Sequence, residues 1–142
     1  MSAFRPGRMR RRAAMLAVAL FFVAPLSIRT ATAADNTVRL TVDYGDGVAK
    51  TISGLAWTKG MTVGDALKEA TNRPHGISFS FTGSGDSAML TKIDDVQNQG
   101  SGAGKKNWQY WVNGTYGDRG FAIFELQAQD VVLWRFTTEQ GK

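Results

Sequence analysis

Apolar and polar residues alternate with a period of two over Thr37–Val42. Val38, Leu40 and Val42 fall on one side, and Thr37, Arg39 and Thr41 on the other, the pattern of a half-buried strand. Gly45-Asp46-Gly47 ends it, and Val48 to Leu55 reads as its hairpin partner. Asp43 and Asp46 read as turn residues, because a calcium loop needs carboxylates at more positions and a closing Glu. After Thr62 the period changes. Val63, Ala66, Leu67 and Ala70 share one face of a helix. Thr62 is the N-cap, and Asp65 three positions on completes a capping box with Asp in place of Glu. Asn72 and Pro74 stop the helix. Its apolar stripe is built of small residues, which suits close packing on a sheet.

Alternation returns at Ile77, Phe79 and Phe81, and Met89–Ile93 forms another short strand. The stretch "NQGSGAGKKN" reads as a flexible loop. It is not a phosphate loop, since Gln99 stands where the first Gly belongs and Lys106 replaces Ser/Thr. In "NWQYWVNG" the strand period puts Trp108, Tyr110 and Val112 on one face and Gln109 and Trp111 on the other. Asn113-Gly114 is a type I′ hairpin turn. It also matches a glycosylation acceptor, but the turn explains it. "FAIFEL" and "DVVLWRF" read as two more strands, the last one central because it is apolar on both faces. The expected architecture is α+β and β-grasp-like: one helix packed on a mixed, mostly antiparallel sheet, with the last strand inserted centrally.

The N-terminus changes the meaning of the charge. Arg5, Arg8, Arg10, Arg11 and Arg12 precede the apolar run from Ala13 to Leu26, and small residues stand before Asp35. That order is a secretory signal peptide, with cleavage expected after Ala33 or Ala34. The run is shorter than the roughly 20 residues a bilayer demands. Residues 1–34 are therefore read as the export tag and 35–142 as the working domain. Of 17 basic residues, 6 lie in the tag and 11 after it, against 12 acidic residues, all after it. The domain is near neutral, and a nucleic-acid reading, which needs a basic patch, is set aside. The chain has no cysteine, which excludes disulfides, thiolate zinc sites and thiol nucleophiles. The expected location is outside the cytoplasm, periplasmic or extracellular, with no membrane span after cleavage.

Catalytic chemistry is hard to find. His75 is the single histidine and lies between Pro74 and Gly76 in a turn. Asp94 and Asp95 are adjacent, so a strand would aim them at opposite faces. No cluster has metal-ligand spacing. The chain therefore reads as a non-enzymatic module without a covalent cofactor. With Trp108 and Tyr110 beneath the helix, Trp111 points away from it, where an indole suits contact work. The candidate ligand-binding residues are Trp111, Tyr116 and Trp57, with Gln109 and Asn113 as polar partners.

"LTVDYGDG", "GLAWTKGMTVGDALKEA", "MLTKIDDVQNQ", "NWQYWVNGTYG" and "ELQAQDVVLWRF" follow one another across residues 40–136. In this order they resemble the transcobalamin-like C-terminal domain family, the β-grasp module of vitamin B12 carriers and of many bacterial secreted or surface proteins. That family commonly has Gly where Gln129 and Asp95 stand. The resemblance implies a binding module with cobalamin, or a related corrinoid, as ligand. In the carriers the module is one wall of a two-domain cage and a helical barrel is the other, so a helical-barrel or other envelope protein is the implied partner. The alternative is a structural or protein-interaction domain of the envelope, with no small-molecule ligand, whose sheet edge pairs with another chain.

Overall fold

The computed structural model describes residues 35–138. The expected export tag lies outside these residues. The described chain contains strands β1 (Thr37–Asp43) and β2 (Ala49–Ala56), helix α1 (Val63–Thr71), and strands β3 (Phe79–Thr82), β4 (Met89–Ile93), β5 (Val96–Gln97), β6 (Asn107–Val112), β7 (Thr115–Tyr116) and β8 (Val131–Thr137). Five strands form a mixed sheet in the order β2-β1-β8-β6-β7. β8 is central, parallel to β1 and antiparallel to β6.

Local chemistry explains the first half. Asp43 and Asp46 accept from the amides of Gly45 and Val48, so both carboxylates shape the β1–β2 turn. Thr62 and Asp65 exchange the two capping bonds at the start of α1. The helix buries Val63, Ala66, Leu67 and Ala70 against Val38, Leu40 and Val42 of β1 and Val132, Trp134 and Phe136 of β8. Non-polar area removed from water in this layer is the main stabilising term, at about 25 cal/mol per Å².

Two expectations are corrected. Residues 121–126 are not a strand. Phe121 and Phe124 carbonyls accept from the Gly64 and Val63 amides, and the Leu126 amide donates to Met61. The segment thus caps the start of α1, with a single bridge between Thr62 and Glu125, while Phe121 and Leu126 are buried. The sheet is also not one layer of strands, because β3-β4-β5 form a second, antiparallel sheet. The two meet at Asn98. Its Nδ2 donates to the Leu90 carbonyl at 2.7 Å, and its Oδ1 accepts from the Trp108 amide at 2.8 Å. A side chain thus stands where a ladder strand would, and the hydrogen-bonded sheet is interrupted.

A second polar link ties the small sheet to the β1–β2 hairpin. The Tyr44 hydroxyl donates to Asp94 Oδ2 at 2.5 Å, Lys50 Nζ reaches the same oxygen at 3.3 Å, and the Ser78 amide donates to Oδ1 at 2.9 Å. Burial pushes the Asp94 carboxyl up. The Tyr44 hydroxyl, the Ser78 amide and Lys50 together outweigh that and hold it below the usual carboxylate range. Burial first, and then Asp94, raises the Tyr44 phenol. A folded pKa below the unfolded one gives stability that is present above the unfolded value of about 3.9 and is lost as pH falls through the folded value. Asp94→Asn is therefore expected to cost about 1–2 kcal/mol at neutral pH. Urea melts at pH 7 and pH 3 would show the gap from wild type closing in acid. An equal gap at both would contradict the link.

Candidate functional site

The outer face of the main sheet, opposite α1, carries a straight cross-strand row. Tyr116, Trp111, Leu133, Thr41 and Thr51 are successive register partners across all five strands. Trp111 is half-buried, neither sunk in the core nor fully open. Tyr116 meets it edge to face with ring centroids 5.6 Å apart. The Arg135 guanidinium lies over the indole at 5.7 Å, and Asp43 holds Arg135 Nε at 3.0 Å. One face of the expected contact ring is thus already covered by the protein's own cation.

The opening lies beside this row. β7 covers only Trp111 and Val112 of β6, and β5 ends after two residues. Between them is a cleft of about 590 Å³, within the size range of small-molecule sites. It is larger than the clefts beside β1–β2 (about 420 Å³), beside Asp118–Glu125 (about 400 Å³) and beside α1 (about 480 Å³). Its wall on β4 is Met89 and Thr91, and β5 with the following loop contributes Gln97, Asn98, Gly100 and Ser101. β6 supplies Asn107, Trp108 and Gln109, and β7 supplies Tyr116. Met89 is 59% exposed and Tyr116 40%, so two of the large apolar side chains that face water stand at this one opening.

Each wall is held in place. Asn107 exchanges both amide bonds with Gly100, and the Gln99 side chain accepts from the Lys106 amide, which shapes the glycine-rich loop. Trp108 Nε1 donates to the Val96 carbonyl at 2.8 Å. Gln109 Nε2 donates to the Thr137 carbonyl at 3.3 Å. That contact orients the amide, since a carbonyl partner must face the NH₂ group, and leaves Gln109 Oε1 buried without a hydrogen-bond partner among the described residues.

The candidates named from sequence separate here. Gln109 and Tyr116 line the cleft, and Trp111 supports Tyr116 from the neighbouring strand on the same face. Asn113 is used by its turn: φ is 50°, Nδ2 donates to Asp130 and Oδ1 accepts from the Val131 amide. Trp57 packs against the core, with Nε1 donating to the Leu126 carbonyl at 2.8 Å. Sequence reasoning missed Met89, Thr91, Gln97 and Asn98. The one available signal was the carboxamide run Gln97-Asn98-Gln99 ahead of the glycine loop. Among the described residues no three His, Asp or Glu side chains are grouped so as to hold an ion, and no helix is long and apolar enough to cross a membrane.

No curated protein matches the chain. Among solved structures, it is similar to one described as a "putative metal binding protein" from Ruminococcus gnavus ATCC 29149. The TM-score is 0.58 and the identity 11%, over 74% of this chain and 99% of that one, a likeness of fold alone. A family model described as a domain of unknown function, DUF4430, matches residues 60–138. The match takes in α1, the whole small sheet and every residue that lines the cleft, and the chain belongs to this family.

Proposed function

We propose that this protein is an exported, non-enzymatic module that binds a small molecule in the cleft between the small sheet and the β6–β7 edge. The observation that carries the reading is the convergence there of exposed Tyr116 and Met89 with the fixed amide of Gln109. The resemblance to the transcobalamin-like C-terminal domain gives a corrinoid as the first ligand to test. The central β8, parallel to β1, supports the β-grasp description that goes with it. One wall of a cleft holds a large ligand weakly, so a helical-barrel or other envelope protein is the natural second wall. Metal binding, the printed description of the solved relative, is not carried over at 11% identity.

The test is a titration of the purified domain with hydroxocobalamin, followed by tryptophan fluorescence, since Trp108 lines the cleft. Saturable quenching at micromolar ligand in the wild type, weakened in Tyr116→Ala, is the expected result. A flat response to corrinoids, together with capture of an envelope protein that Tyr116→Ala still binds, would replace this reading with the interaction-domain one.

A further inference from the structure

The chemistry of the cleft narrows what it can hold. Among the described residues, ten line it and none of them is Asp, Glu, Lys, Arg or His. Beyond the lining, Arg135 opposite Gln109 is occupied by Asp43 and by the Trp111 ring, and Lys92, opposite Gln97, is not among the lining residues. An ionised ligand group entering here would lose water and meet no counter-charge in the described lining, which is the costliest kind of burial. Uncharged polar groups fare differently. The side chains of Thr91, Gln97, Ser101 and Tyr116 have no hydrogen-bond partner among the described residues. Between them they offer three hydroxyls and a carboxamide, each both donor and acceptor. Tyr116 and Met89 supply the apolar contact.

On the reading that this cleft is the binding site, we propose that it selects uncharged ligands that carry hydroxyl or carboxamide groups on an apolar framework. Two sources share that chemistry, a neutral oligosaccharide and the carboxamide fringe of a corrinoid whose net charge is zero. Selection works by exclusion: hydroxyls and amides of the ligand replace their water with Thr91, Gln97 and Ser101, and a carboxylate or ammonium finds no equivalent.

Ligand pairs that differ in charge but little in shape test this. The first pair is the neutral tetramer of N-acetylglucosamine and its deacetylated, cationic counterpart. The second is cyanocobalamin and its derivative with one carboxamide hydrolysed to the acid. Calorimetry and amide chemical-shift mapping are run on the full exported domain. The neutral member of at least one pair is expected to bind about tenfold tighter or more, with shifts at Thr91, Gln97 and Ser101, and Tyr116→Ala is expected to weaken it by a similar factor. Which pair responds identifies the source. Gln97→Glu places a carboxylate in the wall and is expected to draw in the cationic tetramer. A charged member that binds as well as its neutral partner, and loses affinity in Tyr116→Ala, would overturn the selectivity while leaving the cleft as the site. Absence of binding by all four ligands would overturn both.

Discussion

Trp134→Ala is expected to cost about 3–5 kcal/mol, the range for truncating a large core aromatic. Trp134 is 2% exposed at the centre of β8. Its ring packs on Tyr110 at 5.1 Å and Phe121 at 5.6 Å, so it joins the central strand to β6 and to the segment that caps α1. Alanine leaves a cavity that three different elements would have to collapse to fill. For a domain of this size the melting temperature falls on the order of 15 °C. Phenylalanine is a sharper probe. Trp134 Nε1 is buried with no hydrogen-bond partner among the described residues, and an unsatisfied donor costs about 1–3 kcal/mol. Trp134→Phe removes that donor while keeping a ring, so its loss should be well under half that of alanine. Urea melts of the three proteins decide the matter. An alanine variant within about 1 kcal/mol of wild type would show that this ring does not anchor the sheet.

Gly117→Ala is expected to cost about 3 kcal/mol, at the upper end for overpacking. A Cβ at this position would stand 2.1 Å from Tyr110 Cζ and within 2.5 Å of both flanking ring carbons. The ring cannot swing aside cheaply. Its hydroxyl donates to the Arg119 carbonyl at 2.5 Å, and its ring packs on those of Trp134 and Phe124. The same enclosure pushes the Tyr110 phenol up to about 12, with burial the largest cause and Asp118 next. The clash is a pairwise effect, so it is read best from a double-mutant cycle. In a Tyr110→Ala background, Gly117→Ala should cost only a few tenths of a kcal/mol. An equal cost in both backgrounds would place the strain in the backbone of residue 117 and not in the ring.

How far the sequence foretold this structure depends on where each residue finds its partners. Thr62 and Asp65 cap a helix with atoms three positions apart, so α1 was legible. So was β8 as a central strand, because Val131 and Leu133 repeat on the face opposite Val132, Trp134 and Phe136. "FAIFEL" misled because its apolar spacing is that of a strand, whereas its carbonyls are taken by the first amides of α1, a tertiary event. The site was half legible. The two faces of β6 followed from strand period alone, which singled out Trp111 and Gln109. Arg135 covering Trp111 required the β6–β8 register. Met89, Thr91 and Gln97 join Tyr116 because Asn98, with the Trp108–Val96 and Gln99–Lys106 bonds, ties the small sheet to β6. Gln129 is a quieter case. Its φ of 70° lies in the left-handed region that glycine adopts freely, and glycine is what the transcobalamin-like resemblance has there. At Asp95, the other departure, the left-handed residue is instead its neighbour Asp94, at φ 48°.

A nitrogen–proton correlation spectrum of the labelled domain, recorded with and without cyanocobalamin and the neutral N-acetylglucosamine tetramer, tests the binding cleft most directly. Saturable shifts gathered at Thr91, Gln97, Ser101, Gln109 and Tyr116 are predicted for at least one ligand. Shifts centred on α1 or on the β1–β2 edge, or a spectrum indifferent to both, would contradict it.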